Sequence, residues 1–120
     1  MQAIEALFAP YASSTAPGLV AGIRARLTRQ SVEGYVGCME ALGETDLVES
    51  TARLHNIPCL GLASAEDGST PPDLVRETVE SIPGAQFTLL RRTGHLACVE
   101  DPEGYVAALV PFLARVGALA

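Results

Sequence analysis

The pattern of hydrophobic and polar positions changes near Ile57. Before that residue, apolar side chains recur at steps of three and four, which is the period of an amphipathic helix. After it, two short apolar runs, CLGLAS and AQFTLLRR, alternate with two segments of helical period. Strands that alternate with helices are typical of a parallel sheet with helical crossovers. We therefore expect an α/β chain in which residues 1–56 are helical and residues 57–120 form a βαβα segment.

Three helices are predicted in the first half of the chain. APGLVAGIRARLTRQ is expected to form one that starts after Pro17. SVEGYVGCMEALG has Ser31 as a plausible N-cap and stops at Gly43. Thr45 is the expected cap of a further short helix, DLVESTARL. Two internal glycines, Gly34 and Gly37, lower the stability of the second helix by about 1 kcal/mol each. We therefore expect this helix either to pack closely against another element or to move.

The two helices of the second half carry clear start signals. In STPPDLVRETVESIPG, Thr70 is the expected N-cap and Pro71 the first helical residue. The last helix is expected to start at Asp101-Pro102, and Pro111 should bend or split it. We expect these helices to bury the following residues: Val75, Val79 and Ile82 in the first, and Val106, Leu109, Val110, Leu113 and Val116 in the second.

Composition narrows the classes of partner. The 120 residues suffice for one domain or part of one, and their net charge of −6 argues against binding nucleic acid. No apolar run approaches the roughly 20 residues that span a bilayer, and the opening MQAIEALFAPYASS lacks the basic start of a secretory signal. We therefore expect no membrane segment and a cytoplasmic location.

The cysteines predict no metal site. Cys38, Cys59 and Cys98 are odd in number and widely spaced, which fits neither a disulfide framework nor a zinc site. We expect them to be small buried side chains. No metal and no cofactor is predicted.

Candidate chemistry follows each of the two strands. Glu66 and Asp67 come after the first strand, and His95 comes after the second. Because the carboxyl ends of adjacent parallel strands meet at one edge of a sheet, Asp67 and His95 are expected to lie within hydrogen-bond range. A carboxylate that orients an imidazole is the base half of a catalytic triad. The alternatives are a turn aspartate before Gly68 and a structural histidine.

Residues 57 to 113 resemble the carboxyl-terminal part of α/β-hydrolases. The resemblance lies in IPCLGLASAEDGSTPP and in RRTGHLACVEDPE, which match a strand leading to G-x-x-D-x-x-T-P and a later G-H followed by E-x-P. In the lid-like first 50 residues, GYVGCMEALGETDL is similar to a segment of 3-oxoadipate enol-lactonases. The resemblance implies Asp67 as the triad acid and His95 as the general base. It also implies that Thr70 and Pro71 shape the acid loop, and that Glu100 and Pro102 start the last helix.

The sequence departs from that family in one essential part. It contains no G-x-S-x-G, the motif that carries the nucleophile. Cys98 is a poor substitute, because it lies only three residues after His95 and nothing near it indicates an activated thiol. Cys38 is expected to face substrate or core on the lid-like helix, and Ser64 and Ser69 to donate hydrogen bonds beside the acid loop. Alone, the chain is therefore not expected to hydrolyse esters. We expect it to self-associate or to bind an amino-terminal hydrolase half, since a two-stranded sheet with apolar edges is marginal.

Substrate contacts are predicted at four positions. Tyr35, Cys38 and Met39 on the lid-like helix, and Arg91 after the second strand, are the candidates for binding a small ester or lactone. Lid core and a solvent-facing arginine are their alternative roles. For the chain as a whole, one alternative is an inactive binding or scaffolding module derived from a hydrolase. Another is half of an ordinary enzyme separated from its other half.

Overall fold

A computed structural model describes residues 2–119 of the chain. They form eight helices and two strands. In chain order these are α1 (Gln2–Glu5), α2 (Ala12–Thr15), α3 (Pro17–Leu27), α4 (Val32–Glu44), α5 (Val48–Ala52), β1 (Leu60–Ser64), α6 (Pro72–Glu80), β2 (Gln86–Leu90), α7 (Ala97–Glu100) and α8 (Pro102–Arg115).

The two strands pair in parallel, as the sequence predicts. Leu60 lies opposite Gln86, and Ser64 lies opposite Leu90 at the carboxyl ends. Helix α6 packs on both strands and α8 packs on β2. The approach of α6 is so close that a Cβ atom added to Gly61 would overlap the Val79 side chain. The absence of a side chain at Gly61 is what lets the helix reach the sheet.

A buried hydrophobic cluster lies in the N-terminal segment of the chain. Phe8, Ala12 and Val20 form its centre. The partly buried side chains around it are Ile4, Leu7, Leu19, Ile23 and Leu96. Leu96 belongs to the loop after β2, so this cluster joins the N-terminal helices to the βαβα segment.

Two of the predicted helix starts are confirmed and two are wrong. The Ser31 hydroxyl accepts a hydrogen bond from the Gly34 N–H at 3.1 Å, and the Asp101 carboxylate accepts one from the Gly104 N–H at 2.9 Å. At α5 the cap residue is Leu47, which makes no side-chain capping bond. The Asp46 carboxylate accepts from the Val48 N–H at 3.0 Å, and Thr45 is the C-cap of α4. At α6 the cap residue is Pro71, because the Thr70 hydroxyl is used elsewhere, as described below.

Several side chains expected to be buried are exposed. Val106 and Val110 on α8 are 52% and 42% exposed, Val116 at the end of that helix is also exposed, and no residue of α4 is buried. Cys38 and Cys98 are also exposed, contrary to the expectation for the cysteines. Helix α8 continues past Pro111 without splitting. A periodic pattern identifies an apolar face, but it does not establish that the same chain covers that face.

The dimensions of the molecule agree with these uncovered faces. The radius of gyration of the Cα atoms is 16.2 Å. A compact domain of this length has a radius of gyration of about 14 Å. The chain is therefore more open than a domain with a complete core.

Candidate active site

Backbone hydrogen bonds hold the loops after β1 and β2 side by side. The Ala65 N–H donates to the Leu90 carbonyl at 2.9 Å, and the Glu66 N–H donates to the Thr93 carbonyl at 3.0 Å. Both bonds extend the parallel pairing beyond the last paired residues of the strands. Asp67 follows directly on the first loop and His95 follows closely on the second. The sheet geometry therefore brings a carboxylate and an imidazole to one edge.

Asp67 and His95 are in direct contact. Oδ2 of Asp67 lies 3.0 Å from Nδ1 of His95. The aspartate side chain is 7% exposed, whereas the histidine side chain is 36% exposed. The pair therefore has a buried acid and an imidazole that is open to solvent, which is the arrangement of an orienting carboxylate behind a base.

Hydrogen bonds surround the Asp67 carboxylate. Its Oδ1 accepts from the backbone N–H of Ser69 at 2.8 Å and of Thr70 at 3.0 Å. Its Oδ2 accepts from the Thr70 hydroxyl at 2.8 Å in addition to His95. Burial acts to raise the pKa of Asp67, but these hydrogen bonds together outweigh burial and hold the pKa below its ordinary value. Asp67 is therefore ionised at neutral pH.

The ionised carboxylate fixes where the imidazole proton resides. A carboxylate only accepts hydrogen bonds, so Nδ1 of His95 must carry the proton shared with Asp67. The Thr70 hydroxyl also lies 3.3 Å from Nδ1. In the neutral ring the other nitrogen, Nε2, is then the unprotonated one. None of the described residues hydrogen-bonds Nε2, and the side chain as a whole is partly exposed.

Glu100 supports the turn that carries His95. Its Oε1 accepts from the Gly94 N–H at 2.9 Å, and its Oε2 accepts from the Ala9 N–H at 3.0 Å. Glu100 ends α7, and the last helix begins two residues later at Pro102. The carboxylate thus joins the residue before His95 to the N-terminal helices.

A cavity of about 290 Å³ opens beside the Asp67–His95 pair. Its lining comprises Leu62, Ala63, Ser64, Asp67, Thr70, Val75, Leu90, His95, Ala97, Cys98 and Tyr105. Polar and apolar side chains contribute to it in similar measure. A cavity with these walls has room for a small organic molecule near the imidazole.

The predicted substrate contacts lie elsewhere. Tyr35 and Met39 are on the exposed surface of α4, 57% and 44% exposed, and Cys38 on the same helix is exposed. Arg91 is exposed after β2. None of these four residues is among the described residues that line the cavity beside His95. The chain brings the two predicted triad residues together and leaves the four predicted substrate contacts apart from them.

The sequence did not predict two contacts at this site. One is the contact of the Thr70 hydroxyl with both Asp67 and His95, for which the three-residue spacing from the aspartate was the available signal. The other is the double acceptor role of Glu100. The bond from Gly94 is local in sequence, whereas the bond from Ala9 spans 91 residues, and nothing in the sequence pointed to it.

Within residues 2–119, no group of three or more His, Cys, Asp or Glu side chains is arranged to hold a metal ion. The helices in the same range are too short or too polar to cross a membrane.

Comparisons with known proteins connect this site to a family. No protein-family model matches the chain. It is 30% identical over 108 residues to 3-oxoadipate enol-lactonase 2 of Acinetobacter baylyi, which covers 90% of this chain and 40% of that protein. It is 35% identical over 81 residues to pyrrolizixenacetamide deacetylase of Xenorhabdus hominickii, covering 68% of this chain and 30% of that protein.

A solved structure shows the same architecture. The thermophilic esterase of Thermogutta terrifontis, determined with malate bound, superposes with a TM-score of 0.89 at 25% identity, covering 96% of this chain and 42% of the esterase chain. The chain thus spans at most about two fifths of the length of these proteins. It belongs to the α/β-hydrolases, and its fold is the carboxyl-terminal portion of theirs.

Proposed function

We propose that this chain supplies the acid and base of an ester- or lactone-hydrolysing active site, and that a nucleophile from another polypeptide segment completes the site. The observation that carries the proposal is the 3.0 Å contact between Asp67 Oδ2 and His95 Nδ1 at the carboxyl edge of two parallel strands. The similarity to an enol-lactonase and an esterase supports carboxylic ester chemistry as the reaction class.

In the proposed mechanism His95 is the general base. Its unprotonated Nε2 takes the proton of the attacking serine hydroxyl as the serine oxygen bonds to the carbonyl carbon. The same nitrogen later returns a proton to the leaving oxygen. Asp67 remains ionised throughout, keeps Nδ1 protonated and stabilises the imidazolium that forms. Water then hydrolyses the acyl-enzyme by the same base catalysis.

The missing nucleophile determines which partner the chain needs for catalysis. The sequence has no G-x-S-x-G, and in this family that motif also places one of the oxyanion donors. We therefore propose that the partner is an amino-terminal hydrolase half, in the same or another polypeptide. Self-association is the second proposed state, because it too would cover the exposed apolar faces.

The lid-like helix gives a proposal for substrate recognition. Tyr35, Cys38 and Met39 lie at i, i+3 and i+4 of α4, so they share one exposed face. We propose that this face and Arg91 contact the substrate once the partner segment is in place. The arginine would meet a carboxylate on the substrate.

Complementation tests the proposal directly. The chain is co-expressed with the amino-terminal part of the Acinetobacter enol-lactonase that it does not span, and hydrolysis of p-nitrophenyl acetate and of an enol-lactone is measured. We expect the assembly to hydrolyse at least one of the two compounds. His95→Gln is expected to lower the rate by roughly a thousandfold or more, and Glu80→Gln, an exposed charge on α6, to leave it unchanged.

Two outcomes would overturn the proposal. One is a stable assembly that hydrolyses neither compound, which would favour an inactive binding or scaffolding module. The other is an active assembly whose rate survives His95→Gln. Reading the coding sequence upstream of Met1 for G-x-S-x-G adds an independent check on where the nucleophile resides.

A further inference from the structure

Glu100 makes contacts that the proposed chemistry does not use. Its two carboxylate oxygens accept hydrogen bonds from Gly94 and from Ala9, at 2.9 Å and 3.0 Å. One donor directly precedes His95, and the other lies between α1 and α2. Bonds from backbone N–H groups to a carboxylate are among the stronger hydrogen bonds in proteins. A single side chain therefore fixes the imidazole turn to the N-terminal helices.

The packing around Gly94 adds a second attachment at the same place. A Cβ atom on Gly94 would lie 2.6 Å from the Ala9 nitrogen and 2.6 Å from the Phe8 carbonyl carbon. Phe8 and Ala9 are 4% and 3% exposed. The two backbones are thus in close contact within a buried region, so movement of one displaces the other.

The residue on the other side of the imidazole is attached to the same helices. Leu96 packs against the buried cluster of Phe8, Ala12 and Val20. The residues before and after His95 are therefore both held by residues 8–20. The acid loop also approaches this segment, because a Cβ atom on Gly68 would lie 3.8 Å from the Ala6 carbonyl oxygen.

We propose that Glu100 is a positioning residue: by joining Gly94 to Ala9 it sets the imidazole of His95 against Asp67 and makes that geometry depend on the placement of the N-terminal helices. The inference rests on the proposed function for its catalytic meaning. Because a displacement of about 1 Å at a reacting group can cost roughly a hundredfold in rate, a side chain that fixes the turn can control activity without touching substrate.

The first test measures geometry in the free chain and needs no activity. Glu100→Ala removes both acceptors, and Glu100→Gln keeps one acceptor oxygen. Glu103→Gln changes an exposed carboxylate three residues further on and is the matched control. Amide spectra and the pH titration of the Asp67 carboxyl carbon are recorded by NMR for each variant.

In Glu100→Ala we expect the amide signals of Ala9 and Gly94 to shift together and the pKa of Asp67 to rise toward its ordinary value, because the hydrogen bond from His95 is weakened. Glu100→Gln should give an intermediate change and Glu103→Gln none. A wild-type Asp67 titration in a folded Glu100 variant whose Gly94 amide has shifted would overturn the inference. If Glu100→Ala does not fold, Glu100→Gln decides by the same criterion.

The second test uses the complemented assembly and separates kcat from KM. We expect Glu100→Ala to lower kcat by roughly 10- to 100-fold while KM for p-nitrophenyl acetate changes by less than about twofold. A Glu100→Ala assembly as active as the wild type would refute the positioning role and leave the proposed function standing. An inactive wild-type assembly would refute the proposed function, and the NMR test would still decide the role of Glu100.

Discussion

The Thr70 hydroxyl and the His95 imidazole meet the same oxygen of Asp67. Thr70 Oγ1 lies 2.8 Å from Oδ2, and His95 Nδ1 lies 3.0 Å from it. The other oxygen, Oδ1, is held by two backbone N–H groups of the acid loop. The carboxylate is therefore fixed in position whether or not the imidazole is present. The hydrogen bonds of the acid loop thus hold the Asp67 carboxylate in place, and His95 contacts it there.

Removing the Thr70 hydroxyl tests how much its hydrogen bond to Asp67 contributes. Thr70→Val leaves the buried Oδ2 with one partner fewer, so we expect the free energy of unfolding to fall by about 1–2 kcal/mol. The pKa of Asp67 should rise toward its ordinary value, because a hydrogen bond to the charged form is lost. Urea unfolding and NMR titration measure the two effects.

The matched control for this substitution is Thr78→Val. The Thr78 hydroxyl bonds only to the Leu74 carbonyl within α6 and is exposed, so its loss should change stability by less than about 0.5 kcal/mol. Equal stability losses in the two variants would contradict a special role for Thr70.

Because the pKa of Asp67 is lowered, the free energy of unfolding is expected to depend on pH in the acidic range. In the native state the carboxylate holds its charge to lower pH than in the unfolded chain, so the unfolded state binds more protons as the pH falls. The contribution of Asp67 is therefore present above about pH 4, the ordinary aspartate value, and is lost as the pH falls through the lowered native pKa.

Asp67→Asn isolates this contribution. We expect the difference in unfolding free energy between wild type and Asp67→Asn to be large near neutral pH and to shrink below about pH 4. Glu80→Gln removes one exposed negative charge and serves as the control. A wild-type to Asp67→Asn difference that stayed constant through the acidic range would contradict the lowered pKa.

Gly94 is expected to tolerate no side chain. In Gly94→Ala the new methyl group would meet the backbone of Phe8 and Ala9 at 2.6 Å, so we expect a destabilisation of about 1–3 kcal/mol. Gly37→Ala is the opposite case, since a Cβ atom there meets nothing within 4 Å in the middle of α4. That variant should gain roughly 0.5–1 kcal/mol. Thermal and urea unfolding measure both effects. A stabilised Gly94→Ala variant or a destabilised Gly37→Ala variant would contradict the prediction.

The sequence allowed the strand pair and the Asp67–His95 contact to be predicted because both depend on local signals and one topological rule. Each strand is bounded by turn residues, and parallel strands bring their carboxyl ends together. One contact that escaped prediction is non-local. Glu100 binds Ala9 from the other end of the chain, and no periodicity or spacing carries that information.

Local rules also failed where one side chain had two possible partners. Thr70 precedes a helix with a proline at its start, which favours an N-cap role. The structure instead directs its hydroxyl to Asp67. A carboxylate acceptor three residues earlier offers a stronger hydrogen bond than the orphan N–H groups at a helix end, because the acceptor is charged. The charged acceptor within the loop therefore overrides the capping rule.

The exposed apolar face of α8 gives the last prediction. An open groove of about 600 Å³ lies along α8, and nothing in residues 2–119 fills it. Its lining comprises Pro102, Glu103, Val106, Ala107, Val110 and Pro111. A helix face of this kind favours association, because burying it releases about 25 cal/mol for each Å² of apolar surface. We expect the wild-type chain to associate reversibly at high concentration. The double substitution Val106→Glu and Val110→Glu should shift sedimentation velocity profiles toward the monomer.

The control for this double substitution is Ala21→Glu with Ala25→Glu, which adds the same charge to exposed positions of α3. An equal loss of association in both variants would mean that net charge, and not the α8 face, controls self-association. A wild-type chain that stays monomeric and folded at high concentration would show that the uncovered face needs no partner.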